Sequence, residues 1–508
     1  MRIKMTHIIF LKNFLDFLKK VIINFWSEHL GTIFQISLSS GLTLLVWGLL
    51  IKLTSLVYGT GGVGVFGLSR QIYLYLILIF TLNGQQVLIN GIASEETERL
   101  KREYFTSIAG ILMIFTLFLM LFLFIFSPSI SRVLFSGFGH SLLFCAIIVA
   151  SFFGSLQVLF QSFVSGIGDF KAIYRVNYLS ALSLVLMASL LFFYSDSLSI
   201  QKWVAILFIS PAFIASLLYL PSLSKGNSQL NIFSQMKFDK HIMRFLDFSK
   251  YMLISALLQN GSLLLASWAI TRYLGFATAG IYYAATTLSY LYVTVIISSY
   301  SMYVLPKLST TQSIESRNMF LRTFFKTILS IAPIIISLIL ILKFLIFKYI
   351  FSQDFILSAY LFEWLAVGDF FKILSYLFAY NMLAGRHFKW FIISEIVFCV
   401  LMNISILLII GHGFSMKLIS IYFLFHYFLY FLFILFFMKH QYAFTLSTRD
   451  ILNTLLGLLF IIFFFILTEI NDNREVHHLF YLLPSSVLYL YIINFSYSKL
   501  PSILRNSQ

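Results

Sequence analysis

Runs of about twenty apolar residues follow one another along the whole of this 508-residue chain, and their recurrence constrains the fold more than any other feature. Each run is long enough to cross the roughly 30 Å hydrocarbon core of a bilayer. Inside lipid every backbone N–H and C=O must be satisfied within the protein, so such runs are read as helices. The chain is 60% hydrophobic and only 11% charged, far from the charged surface a soluble protein of this length carries. The reading is an all-α integral membrane protein with about fourteen spans, near 32–57, 66–92, 105–127, 141–165, 172–194, 202–221, 248–272, 278–304, 322–347, 357–384, 389–411, 417–438, 452–469 and 478–497.

The net charge of +16 does not indicate nucleic-acid binding, because the basic residues are spread over alternate loops instead of gathered in a domain. With the N-terminus placed in the cytoplasm, 25 Lys and Arg fall on that side and 7 on the other, leaving Lys52, Arg70 and Lys372 inside spans. Both termini are therefore expected to be cytoplasmic. Residues 1–30 carry five basic residues among Phe, Ile and Leu without a cleavage site, and suit an amphipathic helix on the inner leaflet. The two cysteines, Cys145 and Cys399, lie inside apolar runs and suggest neither a disulfide nor a metal site. No His pair has metal-ligand spacing and no Gly-rich phosphate loop is present, so neither a metal, a cofactor nor bound ATP is expected. The driving force is then an ion gradient, the membrane potential or the substrate gradient.

One stretch occurs twice. Residues 58–96 and 273–315 each open with a small, Gly-rich turn, continue through an aromatic entry into a polar, membrane-length helix, and end in a charged loop. Aligning Gly64 with Gly280 gives an offset of 216 residues, and a second landmark, Gly168 to Lys171 against Gly385 to Lys389, agrees to within two. A shift of six spans means parallel repeats. The expected organisation is an N-lobe (31–221), a linker (222–247), a C-lobe (248–440) and two added C-terminal helices (441–508), with a central cavity between the lobes.

Charges inside spans are costly and mark a pathway or a paired site. Arg70, followed by Gln71, could grip a phosphate or acidic sugar with its planar fork, or reach the headgroup level. Its repeat counterpart is the neutral Thr286. Lys52 faces the same two alternatives. Asp369 and Lys372 are spaced to pair on one helix face, or else to serve substrate or a proton. Glu363 and Glu395 read as unpaired carboxylates, and Asp369 with Glu395 are the candidates for ion coupling. Asn83, Gln86, Asn90 and Asn260 are expected to line a hydrated lumen or to bond between helices. Tyr290, in a Tyr-rich span, offers a sugar both a ring face and a hydroxyl.

The segment 64–96, through Gly64, Arg70, Gln71, Asn90 and Gly91, resembles the second span of Wzx-type O-antigen and enterobacterial-common-antigen flippases of the multidrug/oligosaccharidyl-lipid/polysaccharide exporter superfamily. Residues 274–309 look like the eighth span, through Leu274-Gly275, Ala279-Gly280, Ser289, Tyr292 and Leu305-Pro306. A third similar stretch runs through Gly368-Asp369, Phe371-Lys372, Ala379-Tyr380, Leu383-Ala384 and Glu395. The long basic N-terminus and the two added C-terminal spans depart from the twelve-span pattern; the related lipid II flippases have fourteen. The resemblance implies a bacterial inner-membrane protein working by alternating access of two rocking lobes, not enzymatic chemistry. The substrate it implies is an undecaprenyl-diphosphate-linked oligosaccharide, and the partners are membrane lipids, a polysaccharide polymerase and a chain-length regulator. A drug or metabolite exporter of the same fold is the alternative. A membrane polymerase or glycosyltransferase is disfavoured, because every loop on the far side is short.

Overall fold

A computed structural model of the chain describes residues 30–135, 140–224, 240–310, 313–385, 387–470 and 475–498. The amphipathic N-terminal segment, most of the linker and the tail beyond 498 lie outside them. All described regular structure is helical. The α-helices are α1 (Leu30–Phe80), α2 (Gln85–Ala93), α3 (Glu98–Ile125), α4 (Ser127–Leu134), α5 (Ser141–Gly166), α6 (Phe170–Phe193) and α7 (Ile200–Ser224). They continue as α8 (Lys240–Thr310), α9 (Ile314–Leu345), α10 (Ile356–Ala384), α11 (Phe388–Gly411), α12 (Met416–Tyr442), α13 (Thr448–Ile470) and α14 (Glu475–Ser498).

α1 is two spans, not one. Gly59 sits at φ 62, ψ −160, a region essentially closed to residues with a Cβ, and the chain doubles back there. In a continuous helix Trp47 and Arg70 would stand about 35 Å apart. Here the Arg70 guanidinium lies 5.0 Å above the Trp47 ring, and the Trp47 and Phe66 rings are 6.1 Å apart. α8 breaks in the same manner at Gly275, with φ 85 and ψ 166. With α1 and α8 counted twice and the short α2 and α4 set aside, the described helices supply the fourteen expected crossings. Ten helices pass a length-and-composition test for membrane crossing, α1 and α8 each counting once. α10 is not among them, and it carries Glu363, Asp369 and Lys372. The chain is a multi-pass membrane protein.

The offset of 216 runs through the architecture. It relates Gly59 to Gly275, the start of α3 at Glu98 to that of α9 at Ile314, and the N-cap Thr97 to the N-cap Ser313. Each cap hydroxyl accepts from the backbone N–H three residues on, Leu100 at 3.3 Å and Ser316 at 3.1 Å. The repeat fails at one place. Span 2 was expected to run unbroken to residue 92, but its helix ends at Phe80, because Leu82 and Asn83 turn to φ 50 and φ 48. The 21 residues from Thr60 to Phe80 already rise about 31 Å, enough for the hydrocarbon, so α2 lies beyond the crossing.

α13 and α14 lie outside the repeat but are built into the C-lobe. The Tyr489 hydroxyl donates to the Leu329 carbonyl of α9 at 2.5 Å. Lys343 of α9 pairs with Glu363 of α10 and donates to Thr468 of α13 at 2.9 Å, with Lys343 and Glu363 fully buried. This corrects one sequence expectation, since Glu363 is paired, and its partner Lys343 is a core residue. At the end of the molecule opposite the two glycine hairpins, Ile242 and Phe245 of α8 join Leu88, Tyr104 and Phe163 in a separate N-lobe core.

Candidate functional site

The lobes meet backbone to backbone at the hairpin end. A Cβ on Gly64 would overlap the Phe276 carbonyl oxygen and come within 3.1 Å of the Gly280 nitrogen. A Cβ on Gly280 would overlap the Thr60 carbonyl and come within 3.0 Å of the Gly64 nitrogen. All four residues obey the 216 offset, so the contact is reciprocal across a pseudo-two-fold axis. Further bonds cross the same seam: Ser55 Oγ donates to the Phe351 carbonyl at 2.9 Å, and Trp268 Nε1 to the Val133 carbonyl at 2.8 Å. The hairpin end is therefore sealed.

Arg70 lies three turns below Gly59 and half-buried, stacked on Trp47 of its own lobe. Its Nη1 donates to the Tyr283 hydroxyl of the C-lobe at 3.0 Å. Gly67 lets that ring come close, since a Cβ there would sit 2.5 Å from Tyr283 Cγ. Tyr290, two turns further along the same C-lobe helix, is 50% exposed and lies within electrostatic reach of both Arg70 and Lys372. One exposed phenol thus interacts electrostatically with a cation from each lobe. Lys372 lies 5.1 Å from the Tyr427 ring centroid and 5.7 Å from that of Phe423.

Asp369 and Lys372 form no ion pair, so the expected structural pairing on one helix face is not what the protein uses. Asp369 is fully buried and accepts from Ser289 at 2.7 Å and Tyr292 at 2.5 Å, with Oδ1 unpartnered among the described residues. The bonds tie α10 to the second half of α8. Glu395 of α11 accepts from Gln259 at 2.8 Å and Tyr430 at 2.9 Å, tying α11 to the first half of α8 and to α12. Each carboxylate therefore depends on a segment of α8, the helix pair that also forms the C-lobe side of the seal.

The remaining candidates are dispersed. Lys52 is half-buried, five residues from Trp47 and so about 7.5 Å nearer the hairpin, with no ion pair to a described residue. Gln71 is half-buried with Oε1 unpartnered among the described residues. Asn83 stands in the turn after Phe80 and donates to the Met252 carbonyl across the lobe boundary at 3.0 Å. Gln86 and Asn90 are exposed on α2 and, contrary to the lumen expectation, do not line the crossing part of span 2. Asn260 spends its amide on the Ala256 carbonyl of its own helix at 2.9 Å. Trp47, Tyr427 and Tyr430 were missed by sequence reasoning. For Trp47 a signal exists: it lies 12 residues before Gly59 and Arg70 11 after, so a turn at Gly59 brings the two side by side.

No family model and no curated protein sequence matches the chain. Solved structures do. The lipid II flippase MurJ in an inward closed conformation superposes with a TM-score of 0.71 and 16% identity, over 92% of this chain and 98% of that one. An inward-facing multidrug resistance MATE family transporter of the MOP superfamily gives 0.66 and 14% identity, over 81% and 98%. An outward-facing conformation of such a transporter gives 0.56 and 11%, over 80% and 96%. At these identities the likeness is one of fold. The 92% shared with the flippase exceeds what residues 1–447 could supply, so the match extends into α13.

Proposed function

We propose that the protein is a flippase that moves an undecaprenyl-diphosphate-linked oligosaccharide, an O-antigen unit or similar surface-polysaccharide precursor, from the cytoplasmic to the periplasmic leaflet. The observation that carries the reading is that Arg70 and Lys372, one cation from each lobe, both lie within electrostatic reach of the half-exposed Tyr290. A diphosphate cannot enter hydrocarbon bare, and a guanidinium and an ammonium between the lobes offset part of its charge. Tyr290 supplies a ring face and a hydroxyl to the adjoining sugar. The polyprenyl tail needs no passage through protein and stays in lipid. The match of the fourteen-helix chain to a lipid flippase favours this over the exporter reading.

In this account the hairpin end faces the periplasm, both termini are cytoplasmic, and the sealed state awaits substrate from the cytoplasmic leaflet. Alternating access opens the Gly64–Gly280 seam while the opposite end closes. Asp369 and Glu395, each bonded to a segment of α8, are the groups through which a proton or cation gradient would act on that rocking. Lys52, nearer the hairpin, meets the headgroup later in the passage, and Gln71, Asn260 and Asn83 are polar contacts along it. The test is direct: proteoliposomes containing the protein should move a fluorescent lipid-linked oligosaccharide between leaflets, and Arg70→Ala should abolish movement while inserting normally. Unchanged movement with Arg70→Ala would overturn the site.

A further inference from the structure

The Arg70 fork serves the seal before it serves a substrate. Of its five N–H donors, one is engaged by a described residue, and that bond crosses from one lobe to the other. The acceptor, Tyr283, is 5% exposed and fixed by Phe66 at 6.4 Å, edge-on, and by the helix backbone at Gly67. Its hydroxyl can hardly move unless the lobes part. Arg70 is the less enclosed member, half-buried with its guanidinium over the flat Trp47 ring. We infer that Tyr283 is a coupling residue: it holds Arg70 as a latch across the hairpin-end seam, and an incoming diphosphate releases the latch by taking the same nitrogen. The inference rests on the reading of a diphosphate-bearing substrate.

The chemistry sets the direction. A neutral phenol oxygen is a weaker acceptor for a guanidinium than a phosphate oxygen, which is charged and can be gripped by two parallel N–H bonds. An end-on grip engages one N–H on each terminal nitrogen and aligns the guanidinium plane with the phosphate, which draws Nη1 out of line with Tyr283. Loading then removes one of the cross-lobe bonds and weakens the seam, which the Ser55 and Trp268 bonds and the shape of the glycine contact still hold. An uncharged or singly bonded solute leaves the latch in place, so opening without cargo is suppressed. Among the described residues the repeat counterpart of Arg70, Thr286, bonds only to its own helix, at the Tyr282 and Tyr283 carbonyls, so the latch is asymmetric.

The test uses the full chain in lipid nanodiscs, with Cys145 and Cys399 replaced by Ser and spin labels at Leu142→Cys and Leu357→Cys, exposed positions at the hairpin end of each lobe. Added undecaprenyl diphosphate should enlarge the long-distance population of the otherwise unaltered protein. Tyr283→Phe keeps the ring against Gly67 and Phe66 but removes the acceptor. It should show that population without lipid, raised by a factor of about 10 relative to the closed one, the worth of a charge-assisted bond, and lipid should add little. Distances in Tyr283→Phe identical to those of the unaltered protein, with or without lipid, would overturn the latch. Native mass spectrometry on the same samples separates the two readings. Absence of lipid binding refutes the diphosphate substrate, whereas binding without any change in distance refutes the coupling alone.

Discussion

Gly64→Ala probes the seal through a single methyl group. The added Cβ overlaps the Phe276 carbonyl oxygen, and it also lies 2.9 Å from the Phe276 carbonyl carbon and 3.1 Å from the Gly280 nitrogen. All three are backbone atoms, so no side chain can swing aside and the helices themselves must separate. Overpacking of this kind costs about 1–3 kcal/mol, which corresponds to a shift of about 5- to 150-fold toward the open seam. The cost falls on the sealed conformation alone, because parted lobes leave the methyl unopposed. The assay is the labelling rate of Thr60→Cys by a membrane-impermeant maleimide, in a protein lacking Cys145 and Cys399. Gly64→Ala should raise that rate, and Gly61→Ala, where a Cβ meets nothing within 4 Å, should not. Gly280→Ala should act in the same direction, and the double substitution should fall short of the sum, since one separation relieves both overlaps. Equal labelling of Gly64→Ala and Gly61→Ala would refute the seal.

Three further outcomes follow from the packing. Lys343→Met leaves Glu363 charged and buried, and should cost about 3–5 kcal/mol of stability; adding Glu363→Leu should return most of it, read as the melting temperature in detergent. Gly59→Ala forces a Cβ into backbone geometry at φ 62 and should cost about 1–3 kcal/mol by the same measurement, whereas Gly61→Ala next to the turn should be near neutral. Tyr489→Phe loses the bond that fastens α14 to the Leu329 carbonyl and should cost about 1 kcal/mol, visible as earlier proteolysis of α14.

The spans were legible in the sequence because hydrocarbon permits only one backbone solution per apolar run. The repeat was legible because Gly64, Gly280 and the residues around them are held by direct backbone contact, which keeps small residues at a fixed offset. The reversal at Gly59 was less plain: that segment contains Gly59, Gly61, Gly62 and Gly64, and only the geometry shows which one turns the chain. Pairings between distant spans left no local trace. Asp369 and Lys372 have ideal helix spacing, yet Asp369 turns to Ser289 and Tyr292, 80 and 77 residues earlier, and Lys372 to the Tyr427 and Phe423 rings. The pairing of Glu363 left no trace either, because burial of Lys343 against Glu363 and Thr468 is a property of three helices together. The helix break at Leu82 and Asn83 was hidden by the apolar residues on either side of it.

The measurement that bears most directly on the account is where lipid-linked oligosaccharide accumulates in cells from which this gene has been deleted. The flippase reading predicts complete repeat units on the cytoplasmic face, with surface polysaccharide lost and restored by the intact gene but not by Arg70→Ala. Single repeat units that reach the periplasmic face and remain there unpolymerised would contradict it, because the protein would then act after translocation.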